Sequence, residues 1–242
     1  MGMPITIDVR DTRADAGVLD AIFADLRFVD ALFSPFKEDS VVSRINAAQP
    51  STDVASPAVA EVLELCSRYE RDTNGYFSAW RKGRLDPSGL VKGWALARAV
   101  AILDAHGYDD YFVDGAGDVF ARGRPSAGER WRVGIRHPVE RDKVARVVLA
   151  TDLAVATSGT YEKGAHIYNP LSGEPVSSWL SLTVLGPSIL ESDVFATAAF
   201  AMGPAGLEFI EARDGYEAYA IDPDLRAHRT SGFDAYCEPP GS

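Results

Sequence analysis

Cysteine is scarce in this chain. Its 242 residues include two, Cys66 and Cys237, which is too few for a disulfide framework. Cys66 falls on an apolar helix face and reads as a small core residue. Histidine is also sparse, with four in all and none spaced as a zinc pair, which argues against a histidine-based metal site. Positive charge is in deficit. The formal net charge of -11 opposes nucleic acid or an anionic membrane as a partner, so a phosphate ligand would need local cations or a metal ion. The start, Met-Gly-Met-Pro-Ile-Thr-Ile-Asp, lacks a basic region, a long apolar run and a lipid-attachment cysteine, so a cytoplasmic protein without membrane insertion is expected. The signatures G-x-x-x-x-G-K-[ST], G-x-G-x-x-G and G-x-S-x-G are missing, which leaves P-loop, Rossmann and hydrolase-elbow readings without support. No repeat, low-complexity tract or Pro/Ser-rich linker divides the sequence, and one domain over residues 1–242 is expected.

What is present is a globular composition, 46% hydrophobic and 24% charged, in a chain long enough to bury a substantial core. Residues 3–10 predict a strand. Leu19, Ile22, Phe23, Leu26, Val29, Leu32 and Phe33 recur at helical spacing and predict an amphipathic helix over 18–33, stopped by Ser34-Pro35. A short helix is expected at 41–46 and a longer one at 57–71, with Pro57 in its first turn. A helix over 94–106 ends at Gly107. Strands at 111–113 and 119–121 flank the tight turn Asp114-Gly-Ala-Gly-Asp118. Further strands are expected at 131–136, 144–150, 153–157 and 181–186. Ser188-Ile-Leu-Glu191 fits a capping box opening a helix to about Met202, and 216–221 with 225–230 form a terminal hairpin. Strands and helices alternate without a βαβ rhythm, so the fold class is α+β.

Four clusters could carry chemistry. Asp86-Pro-Ser-Gly-Leu-Val-Lys-Gly93 leads into a helix, and exposed N–H groups at a helix start suit a phosphate; an ordinary helix entry with a solvated lysine has the same pattern. Thr157-Ser-Gly-Thr-Tyr161 is a hydroxyl-rich turn after a strand, able to hold a ligand or simply to be polar. His166 opens the polar segment His166-Ile-Tyr-Asn-Pro-Leu-Ser-Gly173. Asp193 and Thr197 stand one helical turn apart on one face, and such hard oxygens suit Mg²⁺ beside a substrate phosphate as well as a solvated helix start.

The order of these pieces is more specific than any one of them. The sequence resembles the ApbE family, the FAD:protein FMN transferases, over nearly its whole length. The matching pieces are Met1-Gly2, Phe36-Lys-Glu-Asp-Ser40 with Ser43-Arg44-Ile45-Asn46, Gly75-Tyr-Phe77, Asp86 to Gly93, Gly115-Ala-Gly-Asp118, Ala156-Thr-Ser-Gly159, His166 to Gly173 with Pro175, and Asp193 to Thr197. The resemblance implies a T-fold-type α+β architecture, with mixed or antiparallel sheets packed against helices. It implies transfer of FMN from FAD to a Thr or Ser hydroxyl of an acceptor protein, with release of AMP. Asp193, Thr197 and the Gly89 carbonyl would bind Mg²⁺, and Asp86 and Lys92 would contact FAD. Met1, Phe36, Tyr76, Phe77 and Ser78 would line the adenosine side, with Thr157 and Ser158 also against the ligand. His166 would lie near the reacting phosphate as the base. The same site with water as nucleophile would be an FAD pyrophosphatase, and without turnover an FAD-binding protein. The sequence departs from the family in a short segment 78–85, and at Ser78 for an aspartate, Phe36 for a tyrosine, Ala116 for a glycine and Asn169 for an aspartate.

Overall fold

The structure, a computed structural model, describes residues 2–48, 56–140, 142–160 and 168–238. Its centre is a seven-stranded sheet in the order β1-β4-β5-β8-β9-β10-β11. The strands are β1 (Ile5–Val9), β4 (Tyr111–Gly115), β5 (Asp118–Arg122), β8 (Leu153–Gly159), β9 (Ser181–Gly186), β10 (Glu217–Ile221) and β11 (Ala227–Arg229). Every neighbouring pair is antiparallel, which confirms the α+β class.

The period of two along each strand divides the side chains between two cores. On one face, Tyr111, Val113, Phe120, Ala154, Ala156, Leu182, Val184, Ala218 and Ala220 meet the helices. On the other face, Val119, Ala121, Leu153, Val155, Leu185, Tyr219 and Ile221 are covered by a separate hairpin. That hairpin is β6 (Trp131–Arg136) with β7 (Val144–Ala150), which buries Trp131, Val133 and Ile135 with alternate residues exposed. The alanines on the helical face let a helix approach the sheet closely. That helix is α5 (Ile189–Met202), with Val194, Ala196, Ala198, Ala199 and Phe200 inaccessible to solvent.

Against α5 pack α4 (Ser88–Ala105) and α6 (Ala205–Glu211), and α3 (Pro57–Asp72) reaches it through Tyr69; α1 (Ala16–Phe33) packs on α4, and the short α2 (Val41–Asn46) on α1. A two-residue-per-strand hairpin, β2 (Trp80–Arg81) and β3 (Arg84–Leu85), stands apart from the main sheet. Among the described residues, no helix is long and apolar enough to cross a membrane.

Most expected elements are present, and the departures have physical reasons. Helix α4 starts at Ser88 rather than Trp94, so most of the Asp86–Gly93 stretch is two helical turns and not a loop. Of its two glycines, Gly93 sits where a neighbouring helix leaves no room for a Cβ, whereas Gly89 has that room. The expected turn at 157–161 is instead the end of β8 as far as Gly159, paired with Ser181 and Leu182 of β9; Tyr161 lies outside the described residues. Ser188 caps α5 by accepting from the Glu191 N–H at 3.3 Å. The Glu191 carboxylate does not complete the box and accepts from the Tyr69 and Tyr216 hydroxyls. Gly203-Pro204 ends α5 as expected, but Pro204 also opens α6, since proline is tolerated where a helix begins.

Candidate active site

The α4–α5 crossing sets the geometry. A Cβ on Gly93 would lie 2.9 Å from the Asp193 Cβ and 3.0 Å from both the Ile189 oxygen and the Leu190 Cα. Only glycine lets the helices meet this closely. The contact delivers the Gly93 N–H to Asp193 Oδ2 at 2.8 Å. In an α-helix that N–H is aimed at the carbonyl four residues back, Gly89, so drawing it toward Asp193 leaves the Gly89 oxygen with capacity for another partner.

Asp193 is buried. Its Oδ1 lies 3.4 Å from Lys92 Nζ, and the same ammonium is ion-paired with Asp118 Oδ2. Asp118, also buried, accepts from the Thr157 N–H through Oδ1 at 3.0 Å. Its Oδ2 has the ammonium close by but no well-directed hydrogen bond. Two buried carboxylates thus share one partly buried cation. Burial pushes the Asp193 carboxyl well above the usual carboxylate range; Lys92 opposes this and Asp118 adds to it. Burial disfavours the charge on Lys92, yet Asp193 and Asp118 together hold its ammonium above the usual lysine range.

Lys92 and Asp193 open on a cavity of about 460 Å³. Gly89, Lys92, Asp193 and Thr197 line its inner part, with Thr157 and Ser158 from the end of β8. The Ser158 and Thr197 hydroxyls are 3.3 Å apart, and a Cβ on Gly89 would be 3.8 Å from Thr197 Cγ2. Gly89, distant in sequence from Asp193 and Thr197, is therefore beside Thr197 in space and shares one cavity with both. Phe36, Tyr76, Phe77 and Ser78 form walls, Phe77 buried and Phe36 92% exposed at the mouth. Asp86, also exposed, accepts the Ser88 N–H at 3.2 Å at the start of α4. Met1 and His166 lie outside the described residues.

The structure adds residues that were not singled out from the sequence. Asp118 follows the Ala116-Gly117 turn, where both residues have positive φ, and is held by the Thr157 N–H of the neighbouring strand β8. Arg81 and Tyr168 line the cavity, with the Arg81 guanidinium 4.0 Å over the Tyr168 ring. Asn46 holds the segment before Asp86 through two bonds to Leu85: its amide donates to the carbonyl at 2.8 Å and its Oδ1 accepts the N–H at 2.7 Å. Asn46 belonged to the resemblance without a role, and the pairing gives it one. A cleft of about 410 Å³ beside Lys37–Val41 has no comparable convergence.

The sequence matches the ApbE family over residues 1–80 and 78–220. The chain belongs to the ApbE family. It is 33% identical over 169 residues to the FAD:protein FMN transferase of Treponema pallidum, an alignment covering 62% of this chain and 47% of that protein. It is 30% identical over 158 residues to the FAD:protein FMN transferase of Vibrio cholerae, covering 56% and 47% respectively. The chain thus spans about half the length of these curated relatives. Among solved structures, the ApbE protein of Thermotoga maritima superposes with a TM-score of 0.86 at 21% identity, covering 98% of this chain and 97% of that one. The flavin transferase ApbE from Vibrio cholerae gives 0.83 at 23% identity, covering 98% and 96%. At these identities the superpositions establish the ApbE fold.

Proposed function

We propose that this ApbE-family chain transfers FMN from FAD to a Thr or Ser hydroxyl of an acceptor protein and releases AMP. The observation that carries the reading is the convergence of Gly89, Lys92, Asp193 and Thr197 at the inner end of an aromatic-walled cavity, in a family whose curated relatives are named for this reaction.

The donor set fits a Mg²⁺ ion. Among the described residues no three His, Cys, Asp or Glu side chains converge. A cation here would meet one buried carboxylate, a hydroxyl and a carbonyl, all hard oxygens. Mg²⁺ is typically held by one or two carboxylates with substrate phosphates and water completing its shell. Asp193, Thr197 and the Gly89 carbonyl would hold it. Bound there, Mg²⁺ would neutralise the pyrophosphate and polarise the phosphorus under attack. Charge balance favours it: once Asp193 gives up its proton to a cation, Asp118, Asp193 and Lys92 sum to one negative charge, and a dianionic pyrophosphate cannot join them favourably without added positive charge.

In the reaction, the acceptor hydroxyl oxygen forms a bond to the flavin-side phosphorus. The bond from that phosphorus to the bridging oxygen breaks, and AMP leaves with that oxygen. We assign His166 to take the hydroxyl proton, because an imidazole titrates near working pH. Lys92, fixed by Asp118 and Asp193, sets a positive charge at the phosphate end. Phe36, Tyr76 and Phe77 hold the adenosine, and Asp86 and Ser78 supply polar contacts along it. Ser158 and Thr157 fix the Thr197 hydroxyl and the Asp118 carboxylate respectively. Positioning and electrostatics supply most of the rate in such a transfer.

The test is to incubate the protein with FAD, Mg²⁺ and a domain bearing a flavinylation Thr or Ser, and to weigh the acceptor by mass spectrometry. An FMN adduct, lost in Asp193→Ala, is expected. Equal release of AMP and free FMN with and without acceptor would move the reading to an FAD pyrophosphatase. FAD binding with no turnover would move it to a carrier.

A further inference from the structure

We propose that the β2–β3 hairpin is a docking surface for an acidic segment of the acceptor protein, a reading that rests on the transferase function above. In a chain of net charge -11, Arg81, Lys82 and Arg84 place three cations within four residues. All three side chains are exposed, and Trp80 beside them is 51% exposed. The hairpin is held at the cavity by Arg81, which lines it and stacks on Tyr168. A ligand inside the cavity meets Arg81. Lys82 and Arg84 do not line the cavity, and among the described residues their side chains make no ion pair. Their charge therefore faces something outside the FAD site.

A solvated charge run is the ordinary explanation for exposed basic residues, but three features oppose it here. The turn puts Lys82 and Gly83 at φ 48 and 75, a pair of left-handed positions that favours Asn-Gly or Gly-Gly, so lysine at the tip sits in a strained conformation. Tryptophan and arginine together are the pair enriched at the anchoring centres of protein interfaces. The patch also lies at the rim of the cavity, since Arg81 both lines it and is exposed. Complementarity then names the partner, an acidic segment flanking the accepting Thr or Ser. A membrane is the weaker match, because three cations on a strongly acidic chain would face repulsion from an anionic leaflet over the rest of the surface.

The experiment uses the full chain loaded with FAD and two fluorescein-labelled peptides of equal length. Each has one central Thr, with Asp/Glu flanks in one and Lys flanks in the other; phosphatidylserine vesicles serve as a third probe. Fluorescence anisotropy is expected to show roughly tenfold tighter binding of the acidic peptide, weakened by salt. The preference should vanish or reverse in the Lys82→Glu/Arg84→Glu variant while FAD affinity is unchanged. Equal binding of the two peptides, a preference that survives the double substitution, or capture of the vesicles in place of the acidic peptide would overturn the proposal. An acidic-peptide preference with no FMN adduct in the mass assay would keep the docking surface and remove the transferase reading, so the two failures are distinguishable.

Discussion

Replacing Gly93 by alanine tests the helix crossing on which the site depends. The added methyl would meet three atoms of α5 at 2.9 to 3.0 Å: the Asp193 Cβ, the Ile189 oxygen and the Leu190 Cα. All three belong to backbone or lie next to it, so no flexible side chain can swing aside. Overpacking of this kind costs about 1–3 kcal/mol. Alanine returns about 0.5–1 kcal/mol because it loses less backbone entropy in a helix than glycine does. The net loss is therefore up to about 2.5 kcal/mol, and at about 2–4 °C per kcal/mol for a chain of this size the melting temperature should fall by up to about 10 °C. The displacement also moves Asp193 off the Gly93 N–H, a 2.8 Å contact, so FAD turnover should drop by more than the stability loss alone would produce. Gly89→Ala serves as the stability control: its Cβ would meet nothing nearer than 3.4 Å, the Phe77 Cε2, and its melting temperature should match the parent's or exceed it. Differential scanning calorimetry of both variants, with AMP release measured on the folded fraction, reads the outcome. A Gly93→Ala protein that melts at or above the parent temperature and turns over FAD normally would refute the reasoning.

Two further outcomes are expected. Burial raises the Asp193 carboxyl to about 8, against Lys92 and with Asp118, and a proton on that carboxylate excludes a cation. Mg²⁺ affinity should therefore rise with pH by up to about tenfold per unit below that value and level off above it; calorimetric titration with a flat profile across that range would contradict this. Asn46→Ala strips both Leu85 backbone groups of their partner and should cost about 1–3 kcal/mol. It should also raise KM for FAD more than it lowers kcat, since the Asp86 segment loosens ahead of α4; an unchanged KM would contradict the positioning role.

What the sequence made legible followed from periodicity and order. The helix expected at 18–33 was visible because its apolar residues recur on one face, and the strands because they are β-branched or, as in β6, alternating. Helices α4 and α5 are more evenly buried, so their identity rested on caps and length, and the entry to α4 was displaced by six residues, from Trp94 to Ser88. Gly93 looks like a loop residue in a sequence; its reason for being there is a neighbouring helix that the sequence does not place beside it. The β2–β3 hairpin was hidden for a different reason: its strands of two residues are too short to show a period.

Asp118 shows most directly why a site cannot be completed from spacing. Within the sequence it closes a glycine turn, where an aspartate needs no further explanation. It becomes the second anion on Lys92 only because β5 pairs with β8, bringing the Thr157 N–H to its Oδ1, while α4 crosses α5 closely enough to carry Lys92 between two buried carboxylates. The strand register and the helix crossing are set by different interactions, alternating apolar residues in one case and a missing Cβ in the other. Disturbing either one should leave two carboxylates facing each other without their shared cation, a charge arrangement that burial makes far more costly than it would be in water. The ion triad therefore couples sheet register to helix packing, and the phosphate end of the cavity is defined where those two requirements meet.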